Sequence, residues 1–167
     1  RLRGLTQQGQ DPRELERQQQ ETQDQAIADQ AAKVEQQEKQ KAAQSLTVGE
    51  VWKDYIEKRR QFWGDLHYQD HINKTHAGGV ERKKRGGKGK TIAQPLAELM
   101  PLALKDLDQP TIEAWAAKEG KTRPTSARLA WRLLTVFLTW CAEQLEYVSL
   151  LLAKNPAKTK KARTILG

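Results

Sequence analysis

KTRPTSARLAWRLLTVFLTWCAEQ, residues 121–144, decides how the whole chain is read. Pro124 opens a helix that runs to about Gln144. On a 100° wheel Ala127, Ala130, Trp131, Leu134, Leu138 and Cys141 cover one side. Leu129, Leu133, Val136, Phe137 and Trp140 cover much of the rest. A helix apolar nearly all round belongs at the centre of a bundle. Its polar residues, Arg128, Arg132, Thr135 and Thr139, collect in one stripe about 60° wide, which together with the helix N-terminus must face water or a ligand.

Outward from this helix the same 3.6-residue rhythm recurs. Thr47-Val48-Gly49-Glu50 has the form of a capping box and opens a helix to about Trp63. Val48, Val51, Trp52, Tyr55, Ile56, Phe62 and Trp63 share its core face, and Arg59 falls in the middle of that face. There it either snorkels from the helix end or emerges where the core meets a partner. A further helix is predicted from Asp65 to about His76, ended by Gly78-Gly79. Pro95 and Pro101 bracket a short apolar turn or helix with Leu96, Leu99 and Met100, and Gln109–Gly120 forms a helix burying Ile112, Trp115 and Ala116. No strand-like alternation of useful length occurs, so the fold class is all-α.

The N-terminal part is different in kind. Asp11, Pro12 and Glu14 form a second capping signature, and after Pro12 there is no glycine or proline through Gln44. A helix of roughly 50 Å follows at about 1.5 Å per residue. Residues 7–44 carry thirteen glutamines, and Ile27, Ala31 and Val34 make only a short apolar stripe, too short for a coiled coil. A solvated connecting helix is expected, with partner assembly through it as the rival. Hydrophobic residues are 37% of the 167, below the usual ~45–50%, and the shortfall lies in this segment.

Charge divides the same way. Residues 1–50 hold seven Lys/Arg and nine Asp/Glu, a balance of −2, while 51–167 hold 22 and 12, a balance of +10. That surplus on a compact domain favours a polyanion, nucleic acid before a membrane surface. Cys141 is the only cysteine, which excludes a disulfide framework and a cysteine-rich zinc module. No signal peptide and no membrane-length apolar run are present, so a reducing cytoplasm is the default compartment. The chain begins at Arg1 without an initiator methionine and reads as a piece of a longer protein.

Two constellations point to DNA. Around the start of the 124–144 helix stand Lys121, Arg123, Thr125 and Ser126, with Arg128 and Arg132 one and two turns on. A helix N-terminus favours phosphate, arginine clamps phosphate or guanine, and hydroxyls bond backbone oxygens. A solvated stripe is the plainer reading, but no acidic residue interrupts Lys121–Ala142. The loop VERKKRGGKGK, residues 80–90, has six basic residues and one acidic. It supplies Lys83, Lys84, Lys88 and Lys90, with Thr91 behind them, for adjacent phosphates; a solubilising loop or a nuclear import signal would look similar. His67, His71 and His76 lack the further ligands a zinc site needs and read as structural or surface histidines; no metal or other cofactor is expected. No phosphate-cradling loop, nucleophile elbow or HExxH helix occurs, and no tyrosine has a basic cluster in register, so no enzyme activity is expected of this chain. An enzyme acting through the histidines is the remaining rival.

Several segments resemble the tyrosine recombinases of phages and integrative elements. Gly9-Gln10-Asp11-Pro12-Arg13 is similar to the junction after the family's arm-binding domain, and Thr47-x-Gly-Glu50-Val51-Trp52-x-x-Tyr55 to the first helix of its core-binding domain. Leu104-x-Asp106-Leu107, Ile112 and Trp115 resemble the lead into its third helix. Arg123-Pro124-Thr125-x-Ala127-Arg128, Phe137-x-x-Trp140-Cys141 and Asn155-Pro156 resemble its last helix and exit strand. Ile92-Ala93-Gln94 departs from the family, which often has a lysine and a glycine there. The resemblance implies a SAM-like core-binding bundle of four to five helices over 45–153, preceded by an arm-binding tail (1–11) and a connecting helix (12–44). Residues 154–167 would be a linker toward a catalytic domain. It further implies double-stranded DNA at a crossover site as partner, other integrase protomers in the full-length protein, a bacterial cytoplasmic, nucleoid-associated location, and Arg123, Thr125 and Arg128 near DNA. The strand-breaking residues of the family have no counterpart here.

Overall fold

The computed structural model describes residues 12–81, 89–151 and 155–167. The chain divides into two compact units, Arg1–Ala42 and Ala43–Gly167. Helix α1, Pro12–Ser45, accounts for the first. Of its described side chains from Arg13 to Lys41, all but Leu15 are exposed, Ile27 and Val34 included. Good helix formers and side-chain pairs four residues apart, Gln25 with Asp29 and Lys39 with Glu35, support it.

The second unit is an all-α bundle of α2 (Val48–Arg59), α3 (Asp65–Thr75), α4 (Gln109–Thr122), α5 (Pro124–Glu143) and α6 (Lys160–Leu166). Short 3₁₀ turns at Arg60–Phe62, Leu104–Asp106 and Val148–Leu150 join them. The capping box at α2 is formed: Glu50 N–H donates to Thr47 Oγ1, and Thr47 N–H donates to the Glu50 carboxylate at 2.8 Å. Asp108 caps α4 in the same way by accepting from Thr111 N–H. No described residue lies in a named strand, and no described helix is long and apolar enough to cross a membrane.

Helix α5 is the central element, as its apolar wheel predicts. Ala127, Ala130, Leu133, Leu134, Phe137, Leu138, Trp140 and Cys141 are all buried. Phe137 packs against Trp52 and Tyr55 of α2, with ring centroids 4.8 and 5.4 Å apart. Each large side chain so buried contributes about 1.5–3 kcal/mol. The indole nitrogens inside the bundle find acceptors: Trp52 donates to His71 O and Trp115 to Pro95 O.

Helix α6 departs from the sequence reading, which makes 154–167 a linker. Thr159 caps it, Ala162 and Leu166 are fully buried, and it packs on α4 and α5. Gly120 of α4 permits the approach, since a Cβ there would stand 2.7 Å from Ile165 Cγ2. Four basic residues within 158–163 hide the two apolar positions that matter.

Candidate nucleic-acid interface

Two features of α5 set the site. Its N-terminus follows directly on α4, with only Arg123 between Thr122 and Pro124. That residue takes a non-helical conformation, φ −150° and ψ 67°, which turns the chain from one helix into the next. Past the turn, Thr125, Arg128 and Arg132 are exposed, as is Lys121 on the last turn of α4. Among the described residues neither Arg128, Arg132 nor Lys121 forms an ion pair.

The stripe is shorter than its wheel suggests. Thr135 Oγ1 donates to Trp131 O and Thr139 Oγ1 to Thr135 O, both hydroxyls turned back onto their own helix. Asn155 then covers them, donating to Thr135 O at 2.9 Å and Thr139 Oγ1 at 3.1 Å. Trp131 adds a bond to Ala157 O. Thr135 and Thr139 therefore hold the returning chain, and the open part of the stripe is Arg128 and Arg132. The signal was Asn155, a side chain able to donate twice, but only the fold brings it to α5.

Arg123 differs most from expectation. Its guanidinium forks onto the Glu119 carboxylate, through Nε to Oε2 and Nη2 to Oε1, and Nη1 donates to Ala93 O at 2.6 Å. Glu119 is buried, and its hydrogen bond raises the Arg123 pKa further. Ser126 is half-buried and accepts from Lys74 Nζ of α3 at 2.9 Å. Carboxylates thus reach the helix start from outside the acid-free stretch 121–142. Glu119 meets Arg123, and Glu98 meets Lys118 and raises the lysine's pKa. Lys74, 52 residues from Ser126, gave no local signal.

Beside this junction lies a groove of about 780 Å³ lined by Thr91–Gln94, Glu98, Lys118, Glu119, Thr122, Arg123 and Ser126. One wall belongs to a short ribbon. Gly79 N–H donates to Thr91 O and Thr91 N–H to Val80 O, at 2.8 and 2.7 Å, and Glu81 bridges to Lys90. The Thr91 hydroxyl accepts from Val80 N–H, so this side chain serves the ribbon. Lys90 is exposed. Lys83, Lys84 and Lys88 lie outside the described residues.

The histidines are built into packing. His71 is buried, stacked on Trp63 at 4.1 Å, with Nδ1 against His67 O and Nε2 facing the Tyr55 hydroxyl. Among the described residues no three His, Cys, Asp or Glu side chains are grouped to hold a metal ion. Burial pushes Tyr55 and Cys141 up to about 12, and burial, then the bond to Asp54, raises Tyr147. All three stay protonated near neutral pH, the opposite of an activated nucleophile.

Residues 47–164 match the family described as the phage integrase core-binding domain. Over 110 residues the chain is 37% identical to the prophage integrase IntF of Escherichia coli (strain K12). That stretch is 61% of this chain and 23% of the relative, so the chain spans about a quarter of the protein it resembles. No solved structure is a significant match.

Proposed function

This chain belongs to the phage integrase core-binding domain family, and we propose that it grips duplex DNA at the crossover site of a site-specific recombination reaction. One observation carries the reading: Arg128 and Arg132 stand exposed and without an ion pair, among the described residues, on a helix that buries eight of its twenty residues in the core. An exposed cation on such a helix is available to phosphate or to a guanine edge. Lys121 and Thr125 flank the same helix start, and Lys90 and Thr91 approach it on the ribbon. Lys83, Lys84 and Lys88 add positive charge in the sequence just before Lys90. Ser126 belongs to the surface through Lys74, which it holds.

The +10 balance of 51–167 supports a polyanionic partner over a neutral one. In this reading residues 1–11 end an arm-binding domain, 12–44 connect it, and strand cleavage falls to residues beyond this chain, with other protomers completing the assembly in the bacterial cytoplasm. Binding is then largely to the backbone, with a steep salt dependence.

The test is binding of the chain to a duplex carrying the parent element's crossover site, against a random duplex, over a salt series. Each lost phosphate contact reduces the salt slope by about 1. Arg128→Ala with Arg132→Ala is expected to lower the slope by about 2. Unchanged affinity and slope in the double variant would remove the stripe from the interface.

A further inference from the structure

Arg123 sits among the basic residues of the interface, yet three of its nitrogens donate inward. Two engage Glu119, a carboxylate only 4% exposed, and the third engages the Ala93 carbonyl. A guanidinium fork is pre-organised for such a bidentate grip, and its charge is compensated in place. The backbone adds a tie: Arg123 N–H donates to Glu119 O at 2.8 Å. Ala93 in turn follows Thr91 and Ile92, the strand of the ribbon that carries Lys90. The ribbon's other strand is pressed onto the same place, because a Cβ on Gly78 would stand 2.5 Å from Ala93 N.

We propose that Arg123 is a positioning residue: held by buried Glu119, its guanidinium grips the Ala93 carbonyl and so fixes the ribbon, with Lys90, beside the start of α5. The use of that placement rests on the DNA-binding reading; the placement itself does not. The fold survives its loss, because Gln94 N–H to His76 O, Leu96 N–H to Lys74 O and Trp115 Nε1 to Pro95 O anchor the following residues independently. What is lost is order in the ribbon, and with it one part of a two-part cationic surface. A lysine at 123 retains the charge but has neither the fork nor the reach to two acceptors at once.

Amide exchange of the whole chain tests the placement. In Arg123→Lys and in Glu119→Gln, the Thr91 and Gly79 amides are expected to exchange about tenfold faster or more, because they open with the ribbon and not with the bundle. The Phe137 amide in α5 should keep its wild-type rate, which shows that the variants fold. Wild-type protection at Thr91 and Gly79 in both variants would overturn the proposal.

A binding cycle tests the consequence. Arg123→Lys is expected to lower the salt slope for duplex DNA about as far as Lys90→Ala, and the double variant no further than either. Full additivity between Arg123→Ala and Lys90→Ala, each removing about 1 from the slope, would make Arg123 a direct phosphate contact and sink the proposal. If wild-type protein shows no salt-dependent binding, the DNA reading fails, and the exchange experiment alone decides the positioning role.

Discussion

At the scale of single residues, position 78 shows how closely the site is built. Gly78 has φ +75°, a conformation that side chains bearing a Cβ rarely adopt. A Cβ there would also meet Ala93 N, Ile92 C and Thr91 O at 2.5, 2.7 and 2.8 Å, all backbone atoms with no rotamer to yield. Gly78→Ala is therefore expected to cost roughly 1–3 kcal/mol, read as a lower urea midpoint at an unchanged slope. The Gly78-Gly79 pair is legible as a helix stop, but its backbone approach is not, because that requires Ile92 and Ala93 to return to the same place. His71 makes a second prediction. Burial, before any other cause, lowers its pKa; His67's charge acts in the same direction, while the bond to His67 O and the charge of Asp70 oppose it. In the unfolded chain it titrates near its ordinary 6.5, so below that pH the unfolded state takes up a proton that the fold resists. Its contribution is complete above about 6.5 and is lost as pH falls through the lower folded value. Urea melts at about pH 7.5 and about pH 5.5 should show lower stability at the acidic end. In His71→Gln that drop should shrink, although the variant is less stable at both; an equal drop would place the acid sensitivity elsewhere.

Among the elements, α2 and α5 are readable in outline because each carries an apolar face and α2 a cap pair three residues apart, although Phe62 and Val136, which the wheels give to apolar faces, are exposed. The exposure of Arg128 and Arg132 is readable too, since no local partner competes for them. The inward pairing of Arg123 is hidden from the sequence for a physical reason. Its partner Glu119 lies one turn back on a different helix, and the irregular backbone at 123 folds the two side chains together. A wheel drawn from Pro124 onward cannot include that carboxylate. The wheel leaves Thr135 and Thr139 open because their cover, Asn155, returns from beyond the helix. Helix α6 is not legible in the sequence because seven residues with two buried positions carry almost no periodic signal. It is nonetheless part of the core. Leu166 is fully buried against the bundle, so Leu166→Ala is expected to cost about 2–5 kcal/mol, as buried leucine truncations do. A cost below about 0.5 kcal/mol, the level of surface changes, would mean that α6 is a dispensable tail.

For the molecule as a whole, the division of charge follows the division of burial. The unit that buries tryptophans also holds the cationic surplus, and α1 is near neutral, glutamine-rich and exposed along its described length. A helix with no face to bury draws its stability from propensity, caps and pairs such as Lys39–Glu35, each worth only ~0.2–0.5 kcal/mol. Helix formation over 34 residues is long enough to offset a costly nucleus, yet such a helix frays and reforms without reference to a core. Removal of residues 1–42 is therefore expected to leave the melting temperature of the rest within about 2 °C of the whole chain, the shift that less than ~1 kcal/mol gives a domain of this size. The far-ultraviolet helical signal lost should be that of α1 alone, and it should melt gradually and apart from the main transition. The same pair of proteins tests the rival assembly role of the glutamine-rich helix. If the whole chain melts at a temperature that rises with its own concentration while the shortened one does not, α1 is buried between copies. A melting temperature independent of concentration in both removes the assembly role and leaves α1 a helix with no face buried between copies.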